Sequence, residues 1–132
     1  MSEAGQVSAR ILLVDDNEDA RVTVSRILGM AGYQVTEAPN ARAAAALLKS
    51  NPPDLVITDI FMPEGDGFEI LNELRNLDIR VPVIAISGGG ATQGMDVLGI
   101  AERLGAKKVL QKPFARRQLL AAIAEALAGS TT

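Results

Sequence analysis

The sequence contains no cysteine, no histidine and no tryptophan, and aromatic residues make up only 3% of its 132 positions. Without cysteine there can be no disulfide, thiol nucleophile or Cys-zinc site, which fits a reducing compartment. Without histidine, Ser-His-Asp catalysis, His-ligated metals and a phosphohistidine on this chain are excluded. The few aromatic side chains weaken any case for stacking on nucleic-acid bases, and a formal charge of −3 gives no general attraction to phosphate backbones.

Long hydrophobic runs are also missing. No apolar run approaches the roughly 20 residues that a membrane span needs, and the first residues contain no hydrophobic segment of signal-peptide length. We therefore expect a cytoplasmic protein that binds neither membrane nor nucleic acid. The length fits one domain, predicted at residues 10–128, with a flexible arm at 1–9 and a short tail at 129–132.

Five short apolar runs recur at near-regular spacing, separated by helical patterns that Asn17 and Asn40 can cap. Three runs are nearly continuous in valine, isoleucine and leucine, which is typical of strands buried on both faces of a parallel sheet. The second and fifth runs are more polar and are predicted at the sheet edges. The alternation predicts an α/β fold, a doubly wound (βα)5 sandwich of three layers.

Polar residues stand at the carboxyl ends of four predicted strands. Asp15 and Asp16 follow the first strand, Asp59 ends the third, Ser87 ends the fourth, and Lys112 follows the fifth. Ligands of open α/β sheets bind at this edge, where the strand order reverses. If the first and third strands are neighbours, the three aspartates converge in one cleft.

A cluster of three carboxylates implies a cation. Each pair repels by roughly 4 kcal/mol at about 4 Å and an effective dielectric of about 20. Oxygen ligands without histidine or cysteine select a hard ion, and an open octahedral site suits Mg²⁺. A carboxylate can attack phosphorus while metal and lysine neutralise the developing charge. Together with the Ser87 hydroxyl and Lys112, the cluster indicates a phosphoryl-acceptor site.

The motifs that follow these strands, DD, VITDIFMPEGDG, S and KPF, resemble those of the receiver domain of bacterial response regulators. The resemblance covers nearly the whole chain and implies a flavodoxin-like fold with strand order 2-1-3-4-5. It implies that Asp59 is the phosphoacceptor. It further implies that Asp16 is a direct Mg²⁺ ligand, Asp15 a mostly water-mediated one, and the backbone carbonyl of Phe61 another.

The same resemblance implies roles for residues near the fourth and fifth strands. Ser87 becomes the hydroxyl of a conformational switch, and Lys112 pairs with the phosphoryl group. The KPF motif implies a cis Lys112–Pro113 bond, against a base rate of about 5–6% for bonds preceding proline. Val109 stands where the family commonly has an aromatic that moves inward on activation. We therefore expect the switch to use the pliable loop Gly88–Gly94 and the glycine-containing helix after it.

Each feature has an ordinary structural explanation when taken alone. An acidic pair stabilises a following helix dipole, Asp59 suits a turn, and Lys112 suits a solvated surface. Their coincidence at four strand ends argues against all of these together. The segment SGGGATQG does not match a nucleotide-binding loop, because Gln93 stands where G-x-G-x-x-G requires its third glycine and no G-K-[ST] occurs.

Two rival functions remain to be weighed. A phosphorylation-independent scaffold with a receiver-like fold is favoured by Val109 and opposed by the complete acidic cluster. A phosphatase with an aspartate nucleophile needs a second aspartate two residues later, where Phe61 follows Asp59 and Asn17 follows Asp15. Catalytic turnover of a phosphate ester would be required to support the phosphatase.

The sequence thus predicts a stand-alone receiver in a two-component phosphorelay. Asp59 would take its phosphoryl group from a separate histidine kinase or histidine phosphotransfer protein. The domain would catalyse only its own Mg²⁺-dependent phosphorylation and dephosphorylation. Output would occur by contact with an unidentified downstream protein.

Overall fold

A single parallel sheet of five strands forms the centre of the fold, in the order 2-1-3-4-5. The computed structural model describes residues 9–59, 67–78, 80–87 and 105–129. The strands are β1 (Arg10–Val14), β2 (Gln34–Ala38), β3 (Leu55–Asp59), β4 (Val83–Ser87) and β5 (Lys108–Gln111). The helices are α1 (Glu18–Met30), α2 (Ala41–Ser50), α3 (Gly67–Asn76) and a final helix, Arg116–Gly129. The predicted doubly wound α/β fold is confirmed, and β2 and β5 are its edge strands.

Two apolar layers, one on each face of the sheet, form the core. Successive side chains of a strand point to opposite faces, so β1 sends Leu12 and Val14 to one layer and Ile11 and Leu13 to the other. The first layer packs against α2 and α3, and the second against α1 and the final helix. Each fully buried aliphatic side chain contributes roughly 1.5–3 kcal/mol. Helix residues of the two layers include Ala44, Leu48, Ile70 and Leu74 on one face, and Leu28, Leu119, Ile123 and Ala126 on the other.

Asparagine side chains begin the first two helices directly after the site-bearing edge of the sheet. The Asn17 side chain accepts a hydrogen bond from the Ala20 N–H at 2.9 Å, and the Asn40 side chain accepts one from the Ala43 N–H at 2.8 Å. Each bond satisfies a donor that the first helical turn leaves unpaired. After α1 the chain turns at Gly32, whose φ of +100° is a left-handed conformation that favours glycine.

Several sequence predictions concern residues outside the described ranges. These are most of the arm at 1–9, the carbonyl of Phe61, the loop Gly88–Gly94 and the helix predicted after it. The final helix runs to Gly129, one residue beyond the predicted domain boundary at 128. Among the helices in the described ranges, none is long and apolar enough to cross a membrane.

Candidate functional site

Three carboxylates meet at the carboxyl edge of the sheet. Asp15 follows β1 and Asp59 ends β3, and β1 and β3 are hydrogen-bonded neighbours. One carboxylate oxygen from each of Asp15, Asp16 and Asp59 lies within 4.8 Å of the others. Asp15 is 4% exposed and Asp59 is 8% exposed, whereas Asp16 faces solvent. The cluster therefore has two buried members, Asp15 and Asp59, and one exposed member, Asp16.

Lys112 brings one positive charge to this cluster. It follows β5, and its Nζ lies 3.3 Å from Asp59 Oδ2 and 3.6 Å from Asp15 Oδ2. Burial by itself would lower the pKa of the Lys112 ammonium, but the charges of Asp59 and Asp15, with hydrogen bonds to them, outweigh burial and raise that pKa. The lysine is therefore protonated at neutral pH and offsets part of the carboxylate repulsion.

The remaining predicted residues lie on β4 and β5. Ser87 ends β4 and is buried, and its carbonyl accepts a hydrogen bond from the Lys112 N–H at 2.8 Å. That bond places the start of the lysine side chain beside the end of β4. The Lys112–Pro113 bond is cis. Val109 is half-buried and lies opposite Ala85 in the register of β4 and β5, so it is inside the edge strand β5 and not at the carboxyl end of that strand.

Further hydrogen bonds around the cluster involve residues that the sequence analysis did not assign to the site. The Asn17 N–H donates to Asp15 Oδ1 at 3.0 Å. Arg21 Nη1 donates to the Asp15 carbonyl at 2.7 Å, and Arg21 Nε donates to Glu37 Oε1 at 2.9 Å. The buried Thr58 hydroxyl donates to the Asp59 carbonyl at 3.0 Å. Arg21 lies in the first turn of α1, where side chains point back toward the acidic pair. This position is the one sequence signal that could have identified Arg21 as a residue near the site.

The donor set of the cluster fits Mg²⁺. Three carboxylates supply only hard oxygen ligands, and the exposed side leaves space for water or phosphate oxygens. With Lys112 alone, three negative charges face one positive charge, so a divalent cation would balance the site. The arrangement also brings a nucleophilic carboxylate and an ammonium group together, as phosphoryl acceptance by a carboxylate requires.

Comparison with known families decides the affiliation. Residues 11–124 match the family model described as the response regulator receiver domain. The chain belongs to this family. A receiver is the phosphorylation-accepting module of two-component signalling, and the acidic pocket of this receiver fits the Mg²⁺ site that such domains generally have.

Curated relatives of this receiver fall into two size classes. Chemotaxis protein CheY of Bacillus subtilis is 39% identical over 119 residues, covering 89% of this chain and 97% of CheY. Response regulator MprA of Mycolicibacterium vanbaalenii is 35% identical over 116 residues, covering 85% of this chain but 47% of MprA. This receiver thus spans about half the length of the MprA and PrrA relatives and nearly the whole length of CheY.

Solved structures show the same fold. The receiver domain of NtrX from Brucella abortus superimposes with a TM-score of 0.82 at 33% identity, covering 89% of this chain and 98% of that one. A response regulator receiver domain protein from Clostridium thermocellum gives a TM-score of 0.84 at 29% identity, covering 93% and 97%. The fold of this receiver is therefore that of its family along most of the chain.

Proposed function

We propose that this receiver accepts a phosphoryl group on Asp59, with Mg²⁺ held by Asp15, Asp16 and Asp59. The observation that carries the proposal is the meeting of these three carboxylates with the Lys112 ammonium at one sheet edge. Asp59 is suited to be the acceptor because it ends a central strand, is nearly buried, and lies within 3.3 Å of Lys112 Nζ. The backbone carbonyl of Phe61 is proposed as a further metal ligand.

In the proposed reaction, a carboxylate oxygen of Asp59 attacks the phosphorus of a phosphohistidine. The new O–P bond forms as the donor's N–P bond breaks, and the electron pair of that bond returns to the imidazole nitrogen. Lys112 and the Ser87 hydroxyl would hold the phosphoryl oxygens. Bound Mg²⁺ would neutralise charge on the transferring group. Hydrolysis of the acyl phosphate by water would return Asp59 to its free carboxylate.

We propose that the phosphoryl donor is a phosphohistidine on a histidine kinase or a histidine phosphotransfer protein, since this sequence has no histidine of its own. The phosphoryl group adds about 1.5 to 2 negative charges at the sheet edge. We propose that this change is read by a downstream protein, with Ser87 as the responding hydroxyl. Val109 has too small a side chain to act as the aromatic reporter of other receivers.

A scaffold without a phosphorylation cycle is the second candidate. Val109 is the observation that favours it, because the usual aromatic partner of the switch is missing. The acidic cluster argues against it, since a pure scaffold gains nothing from three mutually repelling carboxylates around one lysine.

The deciding experiment is phosphoryl incorporation with a small acyl-phosphate donor. Purified protein is incubated with the donor and Mg²⁺, and intact mass reports the addition of one phosphoryl group. We expect incorporation in the wild type, none in Asp59→Asn, and full incorporation in the control Asp78→Asn, whose carboxylate is 82% exposed and pairs with Arg80 outside the site. Absence of incorporation in the wild type would favour the scaffold. Stable phosphorylation of the Asp59→Asn protein would show that the acceptor has been assigned to the wrong residue.

A further inference from the structure

Arg21 joins the acidic pair to an edge strand. Its Nη1 donates to the Asp15 carbonyl at 2.7 Å and its Nε donates to Glu37 Oε1 at 2.9 Å. The side chain is only 15% exposed, and that of Glu37 is 35% exposed. Because a guanidinium is planar and rigid, two hydrogen bonds made by one group fix its orientation. Arg21 is therefore held in place by β2 while it holds the backbone of Asp15.

The positions of α1 and of the sheet together explain why the Arg21 side chain reaches the Asp15 carbonyl. α1 begins at Glu18, and the Arg21 N–H donates to the Asn17 carbonyl at 2.9 Å, so Arg21 is in the first helical turn. Side chains of a helix point toward its amino end, which here is the turn that carries Asp15 and Asp16. Arg21 thus lies over the segment that supplies two of the three proposed metal ligands.

The backbone of Asp15 is bonded to β2 on both sides of its Cα atom. Its N–H donates directly to the Ala38 carbonyl at 3.1 Å. Its carbonyl is linked to β2 through Arg21 and Glu37. The Asp15 carboxylate is meanwhile held by the Asn17 N–H. Every polar group of Asp15 therefore has a fixed partner, and the peptide link to Asp16 is fixed with it.

Apart from its pairing with Glu37, the charge of Arg21 is unfavourable at this position. A positive charge in the first turn of a helix is unfavourable for the helix dipole. A guanidinium next to a cation site also repels the cation. Glu37 pairs with Arg21 and cancels most of this charge, so the hydrogen bond to the Asp15 carbonyl is what remains.

We propose that Arg21, anchored by Glu37, is a positioning residue that fixes the turn after β1 in the geometry that binds Mg²⁺. The inference rests on the proposed function, since it concerns the same metal site. Groups that orient metal ligands without touching the metal typically change metal affinity 10–100-fold when mutated. The hydrogen bond from Arg21 acts on the backbone of a ligand residue and not on its carboxylate. We therefore expect Mg²⁺ affinity to change by the lower figure, about tenfold.

The test compares two arginines that make similar contacts at opposite ends of the sheet. Arg10 Nη1 donates to Asn51 Oδ1 at 2.7 Å and Arg10 Nη2 to the Pro52 carbonyl at 2.8 Å, so it also links a side chain to a loop carbonyl. Mg²⁺ is titrated into wild type, Arg21→Gln and Arg10→Gln, and backbone amide chemical shifts report binding. We expect about tenfold weaker binding in Arg21→Gln and unchanged binding in Arg10→Gln.

The direction of the change separates positioning from charge. If Arg21 acted through its charge, its removal would strengthen Mg²⁺ binding, and high salt would cancel the difference. Unchanged or tighter binding in Arg21→Gln would therefore overturn the proposal. Equal weakening in Arg10→Gln would also overturn it, because it would show a general loss of structure.

A second variant covers the case in which Arg21→Gln does not fold. Arg21→Lys keeps the charge but has one ammonium in place of the planar fork, so it cannot hold Glu37 and the Asp15 carbonyl with the same geometry. We expect weaker binding than in the wild type, and wild-type affinity in this variant would overturn the proposal. Failure of the wild type itself to bind Mg²⁺ would instead remove the proposed function.

Discussion

The amino and carboxyl ends of the sheet differ in how their charged side chains are arranged. At the amino end, the guanidinium of Arg10 donates to the Asn51 side chain and the Pro52 carbonyl, and the backbone N–H of Arg10 donates to Asp54 Oδ2 at 2.8 Å. Arg10 and Asp54 carry opposite charges, and each has a hydrogen-bond partner. At the carboxyl end, three carboxylates lie together, and the Lys112 ammonium contacts two of them, Asp15 and Asp59.

The amino end of the sheet stabilises the fold, whereas the carboxyl end carries the proposed site. Hydrogen bonds such as those of Arg10 contribute roughly 1 kcal/mol each to stability. Crowded carboxylates repel one another and lower the stability of the free protein, and the cation of the proposed site would relieve that repulsion. The two edges of the sheet thus differ in the charges that they bring together.

The largest expected effect comes from making the same substitution at both ends. Asp16→Asn removes a proposed ligand and should weaken Mg²⁺ binding at least about tenfold, or about 1.4 kcal/mol. Asp54→Asn should leave Mg²⁺ affinity unchanged, because Asp54 bonds the Arg10 N–H at the far edge. Amide chemical shifts during a Mg²⁺ titration measure both constants. Equal affinities in the two variants would show that the carboxyl end is not the metal site.

The next effect concerns stability without metal. Lys112→Gln leaves Asp15 and Asp59 without their cation and should lower the free energy of unfolding by about 1–2 kcal/mol, a range reduced because the lysine is 32% exposed. The control, Lys108→Gln, removes an exposed pair with Glu125 and should cost less than about 0.5 kcal/mol. Urea denaturation measures both. Mg²⁺ should stabilise the Lys112 variant more than the wild type, since it supplies the missing charge. Equal losses in the two lysine variants would contradict a special role for Lys112.

The smallest expected effect is the pH dependence of the stabilisation that Lys112 provides. Because the pKa of Lys112 is raised in the fold above its usual 10.5, its stabilising effect is complete below that value and is lost as pH rises through the folded pKa. The difference in unfolding free energy between wild type and Lys112→Gln should stay constant from neutral pH to about 10 and shrink above that. Urea titrations over this pH range test it. A difference that already declines below pH of about 9 would show that another group is responsible.

Strand-end residues were predictable because hydrophobicity marks the strands and polarity marks their ends. The run before Asp15 is continuous in apolar residues and the run ending at Asp59 is nearly so, and a parallel sheet brings their ends to one edge. Arg21 and Glu37 were not predictable in the same way. Their contact depends on the register of β2 and on the direction of one helical side chain, neither of which leaves a periodic signal.

The cluster is assembled from parts of the chain that are far apart. Asp59 and Lys112 are 53 residues apart, and the pairing of β1 with β3 closes a loop that contains α1, β2 and α2. Contacts of such long range carry a large entropic cost and tend to form late in folding. We therefore expect an ion bound there to stabilise the native arrangement more than the folding transition state. Bound Mg²⁺ would therefore slow unfolding and leave the refolding rate nearly unchanged, so that the ligand prolongs the lifetime of the native state.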